Sequence, residues 1–439
     1  MRRGLLLAGH DISAGGLITT LLEMCFANTH GGIKINLNQF ETDDLTKILF
    51  AENPGVVVQV ATKHEAEFKK LMEESGVAYI YIGTPARERT IHLRRTATQP
   101  DGTKETVYEE SLDIDSLRDI WYTPSCRLDQ KQSMNGCADL RFHNYKQQPL
   151  QWHFNPRFTG KLSQFRLNPG RWAVDNGEKD NAAERRVKAA IVREKGTNGE
   201  REMAYSLYLA GFDVKDVMMT DLITGRETLD DIQMIVFCGG FSNSDVLGSA
   251  KGWAGAFLYN PKAKAALDRF YARPDTLSLG ICNGCQLMVE LGLLFSADGK
   301  APKAKMLHND SHKFESAFLG LTIPENDSVM LGSLAGSKLG IWVAHGEGKF
   351  HLPQPENEYH VVAKYSYGQY PGNPNGSDYS VAGLCSADGR HLAMMPHLER
   401  SIFPWQCAYY PAHRSNDEIT PWIEAFVNAR KWCEAHTQK

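Results

Sequence analysis

The 439-residue sequence has no apolar run approaching the ~20 residues a bilayer span requires. It has little surplus of either charge: 48 Lys and Arg face 52 Asp and Glu, a net charge of −4. Neither nucleic acid nor a membrane surface is called for as a partner. The nine cysteines are scattered and odd in number, which makes a poor disulfide framework. There is no internal repeat, no low-complexity tract and no Gly-x-x-x-x-Gly-Lys-Ser/Thr phosphate loop. Arg2, Arg3 and Leu5 to Leu7 mimic the start of a signal peptide, but the apolar stretch stops at Gly9-His10-Asp11, too short for one. A cytoplasmic location is expected. What is present, 42% hydrophobic and 23% charged residues, is ordinary for globular chains, and the length suits two or three domains.

Hydrophobic periodicity divides the chain. In residues 1 to about 95, helix patterns at Leu17 to Ala27 and His64 to Ser75 alternate with strand patterns at Ile33 to Leu37, Val56 to Val60, Val77 to Gly83 and Thr90 to Leu93. A helix is expected over 111 to 135, with Leu112, Ile114, Leu117, Ile120 and Trp121 as its apolar face. Short strands with a few helices imply an α+β unit over 1–140. Residues 141–186, rich in Asn, Gln, Pro, Arg and Gly, are expected to be a connecting segment. From 187 to 439 a βαβ rhythm sets in: strands at 189–192, 214–219, 234–237 and 277–281, helices at 200–210, 262–271 and 283–294. It implies an α/β fold with a doubly wound parallel sheet. Later strands are expected at 339–344, 361–365, 381–385 and 392–395, and a last helix at 419–435.

Three strings carry chemistry. In Leu279-Gly280-Ile281-Cys282-Asn283-Gly284-Cys285-Gln286 a buried strand runs through a tight turn into a helix, with Cys282 at the turn. Small flanking residues permit a sharp, strained elbow. A thiol at a helix N-terminus is favoured as thiolate. Asn283 N–H is a natural oxyanion donor there. A redox Cys-x-x-Cys pair, half a zinc site, or two core cysteines remain alternatives from this string alone. In Met395-Pro396-His397-Leu398-Glu399-Arg400, His397 and Glu399 lie two apart after an apolar strand. At a strand end that spacing turns both side chains to one side. A carboxylate so placed can orient an imidazole that acts as general base. The alternative is a strand-end His beside a solvated Glu. In Cys238-Gly239-Gly240-Phe241-Ser242 the glycines let backbone N–H groups approach a ligand; Gly240 is the candidate second oxyanion donor. The alternative is an ordinary strand-to-loop turn.

Taken together, these strings resemble class I (triad) glutamine amidotransferases, and among them the glutaminase part of the phosphoribosylformylglycinamidine synthase family. Supporting strings are Asp221-Leu222-Ile223-Thr224-Gly225-Arg226, Ala344-His345-Gly346-Glu347-Gly348 and Pro374-Asn375-Gly376-Ser377. Gly9-His10-Asp11-Ile12-Ser13-Ala14-Gly15-Gly16 is similar to a segment of that family's synthetase portion. Departures from the family pattern are Ala14 for Asp, Asn243-Ser244 for Tyr-Gly, Lys251 for Glu, and Leu398 for Pro.

The resemblance implies a Cys282–His397–Glu399 triad hydrolysing glutamine, with no cofactor and no metal for that step. It implies oxyanion or substrate contacts from Gly240, Asn283 and Gln286. It also implies that the chain is the carboxy-terminal part of a larger enzyme. The remaining synthetase portion, in cis or trans, would be its partner. In the complete enzyme the ammonia would amidate formylglycinamide ribonucleotide, with ATP and Mg²⁺. The alternatives are a stand-alone glutaminase, a non-catalytic fragment, or a cysteine hydrolase of another specificity. For His345 and Glu347 the sequence assigns no role.

Overall fold

The computed structural model describes residues 3–147, 150–169, 186–295 and 304–437. The chain divides into two compact units, Met1–Lys131 and Gln132–Lys439.

In the first unit, strands β1 (Leu6–Ile12) and β3 (Gly55–Val60) form an antiparallel pair. A four-stranded sheet takes the order β4-β2-β5-β6: β2 (Gly32–Asn36), β4 (Gly83–Ala86), β5 (Thr90–Thr98) and β6 (Lys104–Asp113). The helices are α1 (Gly16–Phe26), α2 (Leu45–Phe50), α3 (Glu65–Glu74) and α4 (Ile114–Asp129). Leu17, Ile18 and Leu21 of α1 pack with Ile35, Ile91, Leu93 and Ile114 in one core. Each such side chain contributes roughly 1.5–3 kcal/mol by leaving water.

Two expectations fail here. Residues 77–82 are irregular rather than a strand, and Val77, Ile80 and Tyr81 are exposed. An apolar run without a pairing neighbour does not become core, and the ladder begins only at Gly83. The expected helix at 111–135 is shorter, and its first residues belong to β6. Asp113 ends the strand and caps the helix, its carboxylate accepting from Ser116 N at 2.7 Å. The helix turns Ile114, Arg118 and Cys126 inward and leaves Ile120 and Trp121 exposed. Strand β6 had been hidden by its charged residues, which suit a strand exposed along most of its length.

The second unit begins with α5 (Cys137–His143). The segment after it, expected only to connect, packs along the domain. His153 exchanges two backbone hydrogen bonds with Lys338, at 2.8 and 3.0 Å. Trp152 stacks on Phe154 and meets Tyr410 edge-on, ring centroids 5.5 and 5.0 Å apart. The part of the expected connecting segment at 170–185 lies outside the described residues.

A nine-stranded mixed sheet follows, in the order β13-β12-β15-β16-β17-β10-β9-β7-β8. Its parallel half contains β7 (Lys188–Arg193), β8 (Asp213–Met218), β9 (Met234–Phe237), β10 (Leu277–Ile281) and β17 (His391–Met394). Helices α6 (Glu200–Ala210), α7 (Met219–Thr224), α8 (Lys251–Tyr259), α9 (Pro261–Ala272), α10 (Asn283–Glu290) and α11 (Ile423–His436) accompany it. Gly211 ends α6 in a left-handed conformation, as the sequence suggests. The other half is antiparallel: β12 (Glu315–Thr322), β13 (Lys338–His345), β15 (His360–Tyr365) and β16 (Val381–Cys385). A separate pair joins β11 (Lys305–Leu307) to β14 (Lys349–His351). Thus the α/β expectation stands, and the parallel sheet is lengthened by an antiparallel extension. Strands β9 and β10, at the centre of the parallel half, are buried along their whole length and read as continuous apolar runs, whereas β12 is half-buried and was not legible.

Candidate active site

Strand β10 lies between β9 and β17. In parallel sheets, ligands bind beyond the carboxyl ends of the strands. The three chemistry-bearing strings all emerge there: Cys282 after β10, the Gly239-Gly240 loop after β9, and His397 after β17. Adjacent strands thus bring His397 to Cys282, which is more than a hundred positions before it in sequence.

Cys282 has φ 54° and ψ −109° and caps α10. Positive φ in a non-glycine residue is strain, and its presence at the turn between a strand and a helix is the geometry of a nucleophile elbow. Gly284 makes the turn possible: a Cβ there would lie 2.0 Å from the Phe237 carbonyl oxygen of β9. Cys282 itself is 5% exposed, and its thiol donates to the Ala344 carbonyl at 3.6 Å. Cys285, on the same helix, is fully enclosed, and burial pushes its thiol well above the usual range. The two cysteines are therefore not equivalent, and both are unpaired.

His397 is not on a strand. It follows β17 by a few residues and precedes a short 3₁₀ turn at Leu398–Arg400. That turn, not strand alternation, brings its Nδ1 within 2.6 Å of Glu399 Oε1. Arg400 Nε stands 3.7 Å from the same oxygen, and Arg400 Nη2 donates to Asn198 Oδ1 at 2.9 Å. His397 is further held by its backbone N–H, which donates to Trp342 O at 2.9 Å. Trp342 belongs to β13, at the far end of the strand order, so the antiparallel half curls back to meet the site.

Cys282 and His397 converge on one point. A Cβ added to Gly239 would lie 2.9 Å from His397 Cε1 and 3.3 Å from Cys282 Cβ. A side chain there would push the two reacting groups apart. Burial alone would lower the His397 pKa. The Glu399 charge and interactions with Cys282 outweigh it and raise the imidazole to about 9. His397 Nε2 has no hydrogen-bond partner of good geometry among the described residues.

The loop after β9 is pinned to the residue after the nucleophile, with Ser242 N–H donating to Asn283 Oδ1 at 3.1 Å. A short ladder uses Asn198 N–H to Gly239 O and Phe241 N–H to Gly196 O, both 2.9 Å, and leaves the Gly240 N–H out. The Asn283 N–H opens α10, where intrahelical partners are missing. Gln286 is 4% exposed; its Nε2 donates to Glu347 O at 2.7 Å and its Oε1 accepts from Asn283 at 3.0 Å. The structure thus gathers Cys282, His397, Glu399, Gly240, Asn283 and Gln286 around one strand end. Sequence reasoning missed Gly239, Ala344 and the Arg400–Asn198 brace. The doubled glycine and the Ala344-His345-Gly346-Glu347-Gly348 string were the signals for the first two. Among the described residues, no group of three or more His, Cys, Asp or Glu is arranged to hold a metal ion. No helix among them is long and apolar enough to cross a membrane.

Comparison with known proteins adds to this geometry. Residues 186–433 match the CobB/CobQ-like glutamine amidotransferase domain, and residues 1–93 match the C-terminal domain of AIR synthase related proteins. The chain is 37% identical over 452 residues to phosphoribosylformylglycinamidine synthase of Homo sapiens, covering 98% of this chain and 32% of that protein. It is 38% identical over 450 residues to the probable phosphoribosylformylglycinamidine synthase, chloroplastic/mitochondrial, of Arabidopsis thaliana, covering 98% and 30%. It therefore spans about a third of the length of the curated relatives it matches. The solved structure of PurLQS from Thermotoga maritima aligns with 56% of this chain and 99% of that one, at 25% identity and a TM-score of 0.43.

Proposed function

Because this chain belongs to the CobB/CobQ-like glutamine amidotransferase family, we propose that it hydrolyses glutamine to glutamate and ammonia through Cys282, His397 and Glu399. The observation that carries the reading is the buried His397–Glu399 contact of 2.6 Å beside a strained Cys282. A protonated His397 stabilises the Cys282 thiolate. The thiolate attacks the substrate amide carbon, and the carbonyl oxygen becomes an oxyanion received by the N–H groups of Gly240 and Asn283. Loss of one such donor typically costs ~10²–10³ in rate. His397 passes its proton to the departing nitrogen, which leaves as ammonia, and a thioester remains on Cys282. His397 then takes a proton from water, which hydrolyses the thioester to glutamate. Gln286, one helical turn on from Cys282, contacts the substrate.

We further infer that residues 187–439, expected from the sequence as the glutaminase, supply ammonia within the compact unit Gln132–Lys439, and that Met1–Lys131, most of the expected 1–140, is the end of a synthetase portion. The ammonia amidates formylglycinamide ribonucleotide in an ATP- and Mg²⁺-dependent step of purine biosynthesis. Similarity along 98% of the chain to phosphoribosylformylglycinamidine synthases supports it. Glutamine hydrolysis as written above uses neither ATP nor Mg²⁺; both belong to the amidation step. Nine scattered cysteines, an odd number that makes a poor disulfide framework, support a reducing compartment, the cytosol.

The test compares glutamine hydrolysis by the chain and by its Cys282→Ala variant. Glutamate release by the former alone supports the assignment, and equal release by both rejects it. A synthetase portion added in trans should couple that release to amidation of formylglycinamide ribonucleotide.

A further inference from the structure

A buried polar chain ends on His345, the residue after the Ala344 whose carbonyl meets the Cys282 thiol, and is not used by the chemistry above. The Tyr365 hydroxyl donates to Asn375 Oδ1 at 3.2 Å, and Asn375 Nδ2 stands 3.1 Å from His345 Nδ1. Tyr365, Asn375 and His345 are 3%, 0% and 2% exposed. An amide nitrogen only donates, so Nδ1 accepts and the imidazole proton sits on Nε2. That Nε2 is buried and has no hydrogen-bond partner among the described residues. A donor in that position is an unspent one.

The surroundings hold it still. Asn309 Nδ2 donates to His345 O at 2.7 Å, and Asn309 Oδ1 accepts from Gly348 N at 3.0 Å. Ala344, the preceding residue, is the one whose carbonyl meets the Cys282 thiol. Glu315, opposite His345 in the β12–β13 register, is engaged by Ser311 and Tyr370 instead. Burial, reinforced by His397, pushes His345 down to about 3. The site therefore contains two imidazoles of opposite character, one readily charged and one held neutral. A second cation would oppose the imidazolium on His397. A neutral N–H can favour a thiolate without that penalty.

We propose that His345 is a positioning residue for the nucleophile: an uncharged imidazole, locked in its Nε2–H form by Asn375 and Tyr365, that donates toward the negative charge formed on Cys282. The inference rests on the glutaminase reading and adds a residue to it.

His345→Gln and His345→Asn separate the donor from the scaffold. The Gln amide nitrogen falls near the Nε2 position, and that of Asn near Nδ1. Both variants of the full chain are assayed for kcat and KM with glutamine and for the rate of Cys282 alkylation by iodoacetamide at pH 7. His345→Gln is expected to stay within about threefold of the parent in both rates. His345→Asn is expected to lose about tenfold or more in kcat and alkylation with KM little changed, while its thermal midpoint matches that of the Gln variant. Parent-like rates in both variants, equal losses in both, or loss in the Gln variant alone each overturn the proposal. Labelling of the parent by a glutamine-analogue diazoketone keeps the two readings apart. Failure to label Cys282 rejects the glutaminase itself, whereas labelling with unchanged variants rejects only the role of His345.

Discussion

His397 Nδ1 lies 2.6 Å from Glu399 Oε1, and both side chains are only 2% exposed. A charge-assisted contact this enclosed fixes the imidazole's orientation and makes its protonated form persist. Replacing Glu399 with Gln keeps the shape and removes the charge. The expected outcome is a fall of roughly 10²–10⁴ in kcat for glutamine hydrolysis, with the fold retained. A coupled glutamate assay beside a circular dichroism spectrum checks it.

The same contact has a pH signature. His397 is raised to about 9 from an ordinary value near 6.5. The folded state therefore holds this proton more tightly than the unfolded chain does. Its contribution to stability is complete below about pH 6.5, declines as pH rises, and is lost above about 9. Urea midpoints measured from pH 6 to 10 should fall across that window, and the fall should be shallower in Glu399→Gln.

His391 has the opposite sign. It is buried between Ser278 Oγ at 2.9 Å and the Tyr271 ring at 4.6 Å. Burial, aided by the Arg390 charge, lowers it to about 4. Its contribution is present above about pH 6.5 and is lost as pH falls toward 4, because the folded state must then accept a buried charge. His391→Gln should flatten the loss of urea stability between pH 6.5 and 4.5, whatever it does to stability at pH 7.

Gly239 and Gly284 separate catalysis from folding. A Cβ at Gly284 would strike the Phe237 carbonyl at 2.0 Å, and backbone cannot swing aside. Gly284→Ala should lower stability by about 1–3 kcal/mol or more, read as a lower urea midpoint or loss of soluble protein. A Cβ at Gly239 meets two side chains, His397 and Cys282. Gly239→Ala should keep a near-parent midpoint while hydrolysis falls at least about tenfold, since misplacing reacting groups is costly.

Trp152 tests the segment at 150–169. It packs against Phe154, Phe318 and Tyr410, with ring centroids 5.0 to 6.3 Å apart. Trp152→Ala should cost about 2–4 kcal/mol in a denaturant titration. Unchanged stability would make the segment a passive tether.

Several features were decided by the sequence alone. The buried strands at 234–237 and 277–281 are continuous apolar runs, so their place in a parallel half-sheet follows from local pattern. The elbow at Cys282 was legible because a strained turn demands small neighbours on both sides, and Gly280 and Gly284 are there. Tertiary structure alone decided the rest. His397 reaches Glu399 through a 3₁₀ turn that no alternation pattern encodes. The curl that carries Trp342 to His397 arises from pairing between strands far apart in sequence. The role of Gly239 exists only where two loops from adjacent strands converge, and a glycine in a string does not reveal which side chains crowd it. Residues 77–82 show the converse: apolar enough to be read as a strand, they lack the neighbour that would make them one. Local pattern determines what a segment can bury. Which residues meet depends on strand order and on close approach, and those are properties of the folded chain.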